Sequence, residues 1–315
     1  MSLGYEARLI GHEDARQRVR GGRVPRRKHE DVEPGHADII AGIAPPPLPA
    51  DADTDALRDY WEERLRGDYS LGGVGYQGLG EAFNRWGYRA RRRVFRRIVP
   101  GFVAPGARVL DVGSGTGFYV GLWRELGAAA ITGSDLTAVA VERLAERRPG
   151  TEAVRLDIGD EALALPAESF DAISAMDVLF HITDDVRFAR ALVNAARLLR
   201  PGGVLVFSDL FVHGAPWRAP HQAIRSLEEV RAAVAAAGLQ EELRRPLLVL
   251  LNAPVDTRSR AARAAWWTLR TAALRGEPAG WLAGAAAYPL EVVLARVLRE
   301  GPSTEIMVCR RPVAG

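Results

Sequence analysis

The sequence predicts a doubly wound α/β fold, a mostly parallel sheet with helices on both faces. Three observations predict it. Between residues 108 and 251, short apolar runs alternate with helical patterns. These runs lack the in-and-out alternation of half-exposed strands, as strands buried on both faces do. The first run leads directly into a glycine-rich turn that opens a helix. The chain has 315 residues, 48% hydrophobic and 26% charged, enough for a sizeable core.

Residues 1–55 mix charges of both signs with Gly21-Gly22 and Pro45-Pro46-Pro47, and read as a disordered or loosely attached tail. Residues 56–104 read as a helical cover. Residues 59–65 and 81–98 are helical, separated by a stretch with five glycines between Ser70 and Gly80. Seven arginines and no acid lie between Arg85 and Arg97, which we read as the solvated face of an amphipathic helix. From 105 to 315 a strand–turn–helix pattern repeats. Strands fall at 108–112, 130–133, 153–156, 170–176, 204–208 and 247–251, and a last one at 304–309. Helices fall at 117–126, 137–147, 185–199 and 226–237. Arg200-Pro201-Gly202-Gly203 ends the third of these. An insert at 257–302 carries Trp266-Trp267 and an Ala-rich apolar helix interrupted by Pro289, with seven arginines against three glutamates over 257–300.

Composition excludes several chemistries. The single lysine, Lys28, lies in the tail, which excludes an ordinary Walker A loop and a lysine Schiff base inside the fold. The lone Cys309 excludes a disulfide framework, a cysteine-rich zinc site and a thiolate-bound iron–sulfur cluster. No metal is expected: Asp184-Asp185 precede a helix and read as its cap. The first residues show no apolar run of signal-peptide type and no stretch offers about 18 uncharged apolar residues, so a cytoplasmic location is expected.

The chemistry is carried by Asp111-Val112-Gly113-Ser114-Gly115-Thr116-Gly117 between first strand and first helix. Glycines let such a turn approach a ligand closely, and a helix start presents free amides. Phe118 occupies the place of a dinucleotide fingerprint's third glycine, which weakens a nicotinamide reading. Asp135 ends the second strand and suits ribose hydroxyls. Asp157, with Ile158 beside it, follows the third and suits an adenine ring. Three acids at successive strand ends share one sheet edge.

Together with Ile131-Thr132-Gly133-Ser134-Asp135, Leu156-Asp157-Ile158, Phe170-Asp171-Ala172-Ile173, Val178-Leu179-Phe180-His181 and Leu199-Arg200-Pro201-Gly202-Gly203, this region resembles a class I S-adenosylmethionine-dependent methyltransferase of the bacterial small-molecule type. The resemblance covers residues 108–209. It implies a Rossmann-like seven-stranded sheet with an antiparallel last strand and S-adenosyl-L-methionine as cofactor. It also implies that Asp111, Gly113, Ser114, Gly115 and Gly117 flank the methionine part, Asp135 and Leu136 the ribose, Asp157 and Ile158 the adenine, and Met176-Asp177 the bend near the sulfonium. The stretch 61–88 is similar to the N-terminal cover of such enzymes. Trp61, Arg64, Tyr76, Tyr88 and Arg89 are candidates there, with core packing of the aromatics and a surface position of the arginines as the alternatives.

The expected activity is O-methylation of a small-molecule hydroxyl, with His181 as candidate base and His213 and His221 as further substrate-side candidates. N-methylation, carboxyl methylation, an NAD(P)-linked oxidoreductase and a non-catalytic cofactor-binding module are the alternatives. No nucleic-acid partner is expected. The insert reads as packing, dimer surface or lid, with membrane contact the less favoured role.

Overall fold

In the computed structural model, the described residues are 54–219 and 221–313. The expected tail, apart from its last two residues, lies outside them. Two helices come first, α1 (Thr54–Gly67) and α2 (Gly80–Ile98). The alternating region follows as β1 (Arg108–Val112), α3 (Phe118–Glu125), β2 (Ala130–Asp135), α4 (Ala138–Arg147), β3 (Glu152–Arg155), β4 (Phe170–Met176), α5 (Asp185–Leu198) and β5 (Leu199–Asp209). Then come a short hairpin of β6 (Trp217–Ala219) and β7 (Gln222–Ile224), α6 (Leu227–Ala236), β8 (Gln240–Pro246), α7 (Arg260–Ala273), α8 (Glu277–Val297) and β9 (Glu305–Arg310).

Seven strands form one sheet in the order β3-β2-β1-β4-β5-β9-β8. β9 runs antiparallel to both its neighbours, and the β1–β2, β1–β4, β2–β3 and β4–β5 pairs are parallel. Alternate residues feed opposite cores. Leu110, Ile173, Leu205 and Phe207 pack on α5 and α6, whereas Val109, Ala172, Val204 and Val206 pack toward α3. Both faces of the inner strands are buried, so those strands read as largely apolar runs. Chain order reverses between β1 and β4, where the connections leave in opposite directions and open a crevice at the carboxyl edge.

The sheet corrects one assignment. Residues 247–251 do not form the sixth strand, which is β8 at Gln240–Pro246. β8 lies at the sheet edge and is half exposed, so it lacks the apolar run that marks the inner strands. The Leu247-Leu248-Val249-Leu250-Leu251 run is apolar because it is buried beneath α8, and its amides find acceptors outside the ladder. Leu247 and Leu248 donate to the Thr304 carbonyl. Val249, Leu250 and Leu251 donate to the carboxylate of Glu291, at 2.8, 2.6 and 2.9 Å. Glu291 is fully buried on α8. Glu291→Ala strands three donors, those of Val249 and Leu251 buried and that of Leu250 half-buried, and each buried loss costs about 1–3 kcal/mol. Urea unfolding is expected to show a loss of about 3 kcal/mol or more, and a change below about 1 kcal/mol contradicts this role.

α8 also runs through Pro289 without a break. The ring sits on the exposed side, where the carbonyl it leaves without a partner can bond water. A third core joins α2, α7 and α8 through Phe83, Ala90, Trp266, Ala273 and Ala287. Among the described residues, no helix is long and apolar enough to cross a membrane.

Candidate active site

The crevice at the carboxyl edge widens into a cavity of about 840 Å3. Pockets for small molecules run from ~300 to ~1,000 Å3, so this one has room for a nucleoside and a second small molecule. Its floor is the turn after β1. Gly113 holds φ +64°, and a Cβ there would stand 2.4 Å from Val178 Cγ2, so only glycine fits. Gly117 serves differently. It caps α3 in the left-handed region, and a Cβ would strike Leu144 of α4 at 2.7 Å. Gly117 is absent from the cavity wall, so its need is packing of α3 on α4 rather than contact with a ligand.

Asp111 lies under this turn, buried and behind the cavity wall. Its Oδ1 accepts from Ser174 Oγ at 2.5 Å, and Ser174 in turn accepts from Trp123 Nε1. Oδ2 has no partner, and burial pushes the carboxyl up to about 7. An unpartnered buried acceptor beneath a backbone turn suits a cationic donor. Asp135, at the end of β2, lines the cavity and holds the turn. Its Oδ2 accepts from the Gly115 amide at 3.0 Å, and its Oδ1 from the Thr137 amide and hydroxyl at 3.0 and 2.8 Å. Burial raises its pKa, against the pull of these donors.

Ser114, Gly115, Leu136, Asp157, Ile158, Met176 and Asp177 share the same wall. Two of the carboxylates carry partners that sequence reading missed. Arg187 on α5 reaches Asp157 at 2.6 Å, while the Gly159 amide donates to its other oxygen at 2.8 Å. Arg91 on α2 donates to Asp177 from Nε at 3.0 Å, with a second guanidinium nitrogen at 2.8 Å. Ser208 Oγ donates to Asp177 and accepts from its amide. These contacts hold Asp177 at φ +59°, a left-handed conformation unusual outside glycine. Arg91 thus departs from the solvated face read for this helix: it turns into the cavity, while Arg92 and Arg96 stay exposed beside Glu125.

His181 sits in a single 3-10 turn after β4, half-buried against Trp61 with ring centres 4.9 Å apart and stacked on His221 at 5.9 Å. Its Nδ1 lies 2.7 Å from the His221 carbonyl. A carbonyl only accepts, so Nδ1 carries the proton and Nε2 is the unprotonated nitrogen. Burial lowers the imidazole to about 3. The ring is therefore neutral across the physiological range. His221 lines the same cavity and is lowered to about 4, again by burial.

The substrate-side candidates divide. Tyr76, Tyr88, Trp61 and Arg64 line the cavity, and burial pushes both tyrosines up to about 12. Arg64 braces the glycine-rich stretch by donating to the carbonyls of Gly73 and Gly75, each at 2.5 Å. Arg89 lies outside the cavity wall, its guanidinium 4.5 Å from the Trp86 ring centre. His213 is also elsewhere. The chain leaving β5 carries it to a separate recess, where it meets Asp256 at 2.6 Å and Glu300 at 3.6 Å. Asp184 caps α5 by accepting from the Arg187 amide, and Asp185 pairs with Arg218 and Arg225. Among the described residues, no group of three or more His, Cys, Asp or Glu is placed to hold a metal.

This site belongs to a recognisable set of proteins. A family described as a methyltransferase domain matches residues 110–207. The malonyl-[acyl-carrier protein] O-methyltransferase of Methylococcus capsulatus is 32% identical over 196 residues, which is 61% of this chain and 68% of that protein. The tRNA U34 carboxymethyltransferase of Azotobacter vinelandii is 35% identical over 125 residues, 38% of each chain, so the likeness spans well under half of that relative. A solved methyltransferase structure from Galdieria sulphuraria, 16% identical, superposes with a TM-score of 0.53 over 81% of this chain and 98% of that one, a likeness of fold. The residues also fit the cofactor these relatives imply. A turn that tolerates no side chain suits a close-lying ligand, and the bare Asp111 oxygen suits an amino group. The nicotinamide alternative falls away with this assignment. With a glycine turn and acids at the strand ends beside the reversal point, and with a methyltransferase 32% identical over 68% of its own length, the chain belongs to the class I S-adenosylmethionine-dependent methyltransferases.

Proposed function

We propose that the enzyme methylates a hydroxyl group on an uncharged small molecule. The observation that carries this reading is the state of His181: Nδ1 is committed to the His221 carbonyl, and Nε2 is a neutral acceptor on the cavity wall. A hydroxyl sheds its proton as it attacks, and an imidazole nitrogen in reach accepts it. When bound, the cofactor supplies an electrophilic methyl group on a sulfonium. The chain's own work is alignment and dehydration. In this reading Asp135 and Leu136 hold the ribose, Asp157 and Ile158 the adenine, and Met176-Asp177 border the reacting end. Trp61, Tyr76 and Tyr88 form an apolar wall that excludes water, and alignment of this kind contributes on the order of 7–11 kcal/mol.

Electrostatics favour a neutral acceptor over a carboxylate. The cavity's guanidiniums are already engaged: Arg64 by two carbonyls and Tyr60, Arg91 by Asp177, Arg187 by Asp157, and Arg218 by Asp185 and the Thr183 carbonyl. A carboxylate would have to displace one of these to be held. The Methylococcus relative is by name an O-methyltransferase of a malonyl group, which supports oxygen as the acceptor, but the oxygen that a malonyl group offers is a carboxylate, so the preference for a hydroxyl rests on the cavity alone. The test is methyl transfer from labelled S-adenosylmethionine to matched aromatic acceptors carrying a hydroxyl, an amine or a carboxylate on the same ring. Transfer to the hydroxyl series is expected. Faster transfer to amines or carboxylates contradicts the proposal.

A further inference from the structure

We propose that the outer face of α8, with the adjoining edge of α2, docks on an anionic lipid surface. The two sides of α8 differ sharply. Gly280, Gly284, Ala287, Glu291 and Ala295 face inward and are buried. Leu282, Ala286, Leu290, Val293 and Val297 follow at steps of four, four, three and four residues, which places them in one stripe on the opposite side. That stripe is exposed, with Leu282 at 62%, Val293 at 52% and Val297 at 64%. Trp281, Trp267 on α7 and Leu274 just past its end add exposed apolar surface.

A basic edge runs beside this helix. α2 and α8 lie side by side and point the same way. Glu277 accepts from the Glu81 and Ala82 amides at one end, and Arg97 donates to the Ala295 carbonyl at the other. A Cβ on Gly284 would fall against Trp86, on whose ring Arg89 lies. Arg89, Arg93 and Arg97 therefore follow one another along the flank of α8. Arg97 is lowered by burial and by the like charges of Arg296, Arg93 and Arg245. Among the described residues, no carboxylate forms an ion pair with any of these five arginines, although pairing is the rule for Arg92 and Arg96 next to them.

This combination selects the occupant. A second copy meeting the same face through a two-fold axis would set arginines against arginines or against bare aliphatic side chains. An anionic bilayer surface satisfies both halves: the aliphatic stripe enters the headgroup–acyl boundary, the arginines meet lipid phosphates, and the tryptophans lie at the interface. The 21-residue helix would lie on the surface, since it does not qualify as a span.

The test is flotation of the full chain with vesicles of phosphatidylcholine alone and of phosphatidylcholine with phosphatidylglycerol. Binding is expected only to the phosphatidylglycerol vesicles, and is expected to fall at high salt. The paired variants Leu282→Glu/Val293→Glu and Arg93→Glu/Arg296→Glu are each expected to weaken it roughly tenfold. S-adenosylhomocysteine affinity should stay unchanged in both, which shows that the fold is intact. Wild-type protein that never floats overturns the proposal. So do variants that bind vesicles as the wild type does, which would place the contact elsewhere. A lipid-independent dimer that Val293→Glu splits also overturns it, by assigning the face to a second copy.

Discussion

Replacing His181 by alanine is expected to lower kcat by roughly 100-fold while leaving the dissociation constant of S-adenosylhomocysteine within about twofold. The direction follows from the ring's two nitrogens. Nδ1 is spent on the His221 carbonyl at 2.7 Å, so alanine removes Nε2, the acceptor left for an incoming hydroxyl. The magnitude follows from burial. General bases contribute about 10^2–10^4, most when their pKa lies near the working pH, and an imidazole lowered to about 3 belongs at the bottom of that range. The pH profile has a determined sign. Protonation blocks the acceptor, but burial postpones it to about pH 3, so kcat should show no acidic limb near 6.5 from this residue. Unchanged turnover in the variant, or a wild-type limb at 6.5 that the variant loses, contradicts this role.

Asp135→Ala is expected to weaken S-adenosylhomocysteine binding by roughly 30-fold or more. Two effects combine. The carboxylate is the acceptor for the Gly115 amide and for both donors of Thr137, so its loss frees the turn that forms the cavity floor. It also removes a cavity-lining acceptor suited to ribose hydroxyls, and a hydrogen bond to a charged group is worth about 1.5–3 kcal/mol. Asp135→Asn is not a mild substitute. Its amide nitrogen or its oxygen must face donors on both sides, so one side is left with two donors opposed. Isothermal titration of the two variants should rank both well below wild type, and wild-type affinity in Asp135→Ala contradicts the role.

Much of the fold was legible because its signals are local. The parallel strands sit under helices on both faces, so 108–112, 170–176 and 204–208 read as apolar runs, and Pro201-Gly202-Gly203 follows α5 directly. The glycine turn, the acids at the ends of β1 and β2 and the acid just after β3 were visible for the same reason: each stands at a fixed place relative to its strand. What was not legible depends on distant partners. Arg91 looked like one more arginine of a basic helix, and only the approach of Asp177, 86 residues later, distinguishes it. Arg187 meets Asp157 across 30 residues. The 247–251 run has strand composition, but Glu291 takes its amides from a helix some 40 residues on. His213 stands only four residues past β5, yet the loop carries it out of the cavity and toward Asp256. The β6–β7 hairpin is too short to carry a periodic pattern, and it brings Trp217 and Arg218 to the cavity wall.

A crystal structure with S-adenosylhomocysteine shows how the cofactor lies on the sheet. The nucleoside is expected across the carboxyl ends of β1, β2 and β3, with its ribose within hydrogen-bond distance of Asp135, its adenine beside Asp157 and Ile158, and its thioether opening toward His181. Density for the ligand elsewhere, or in this cavity with the ribose turned away from Asp135, would contradict this placement.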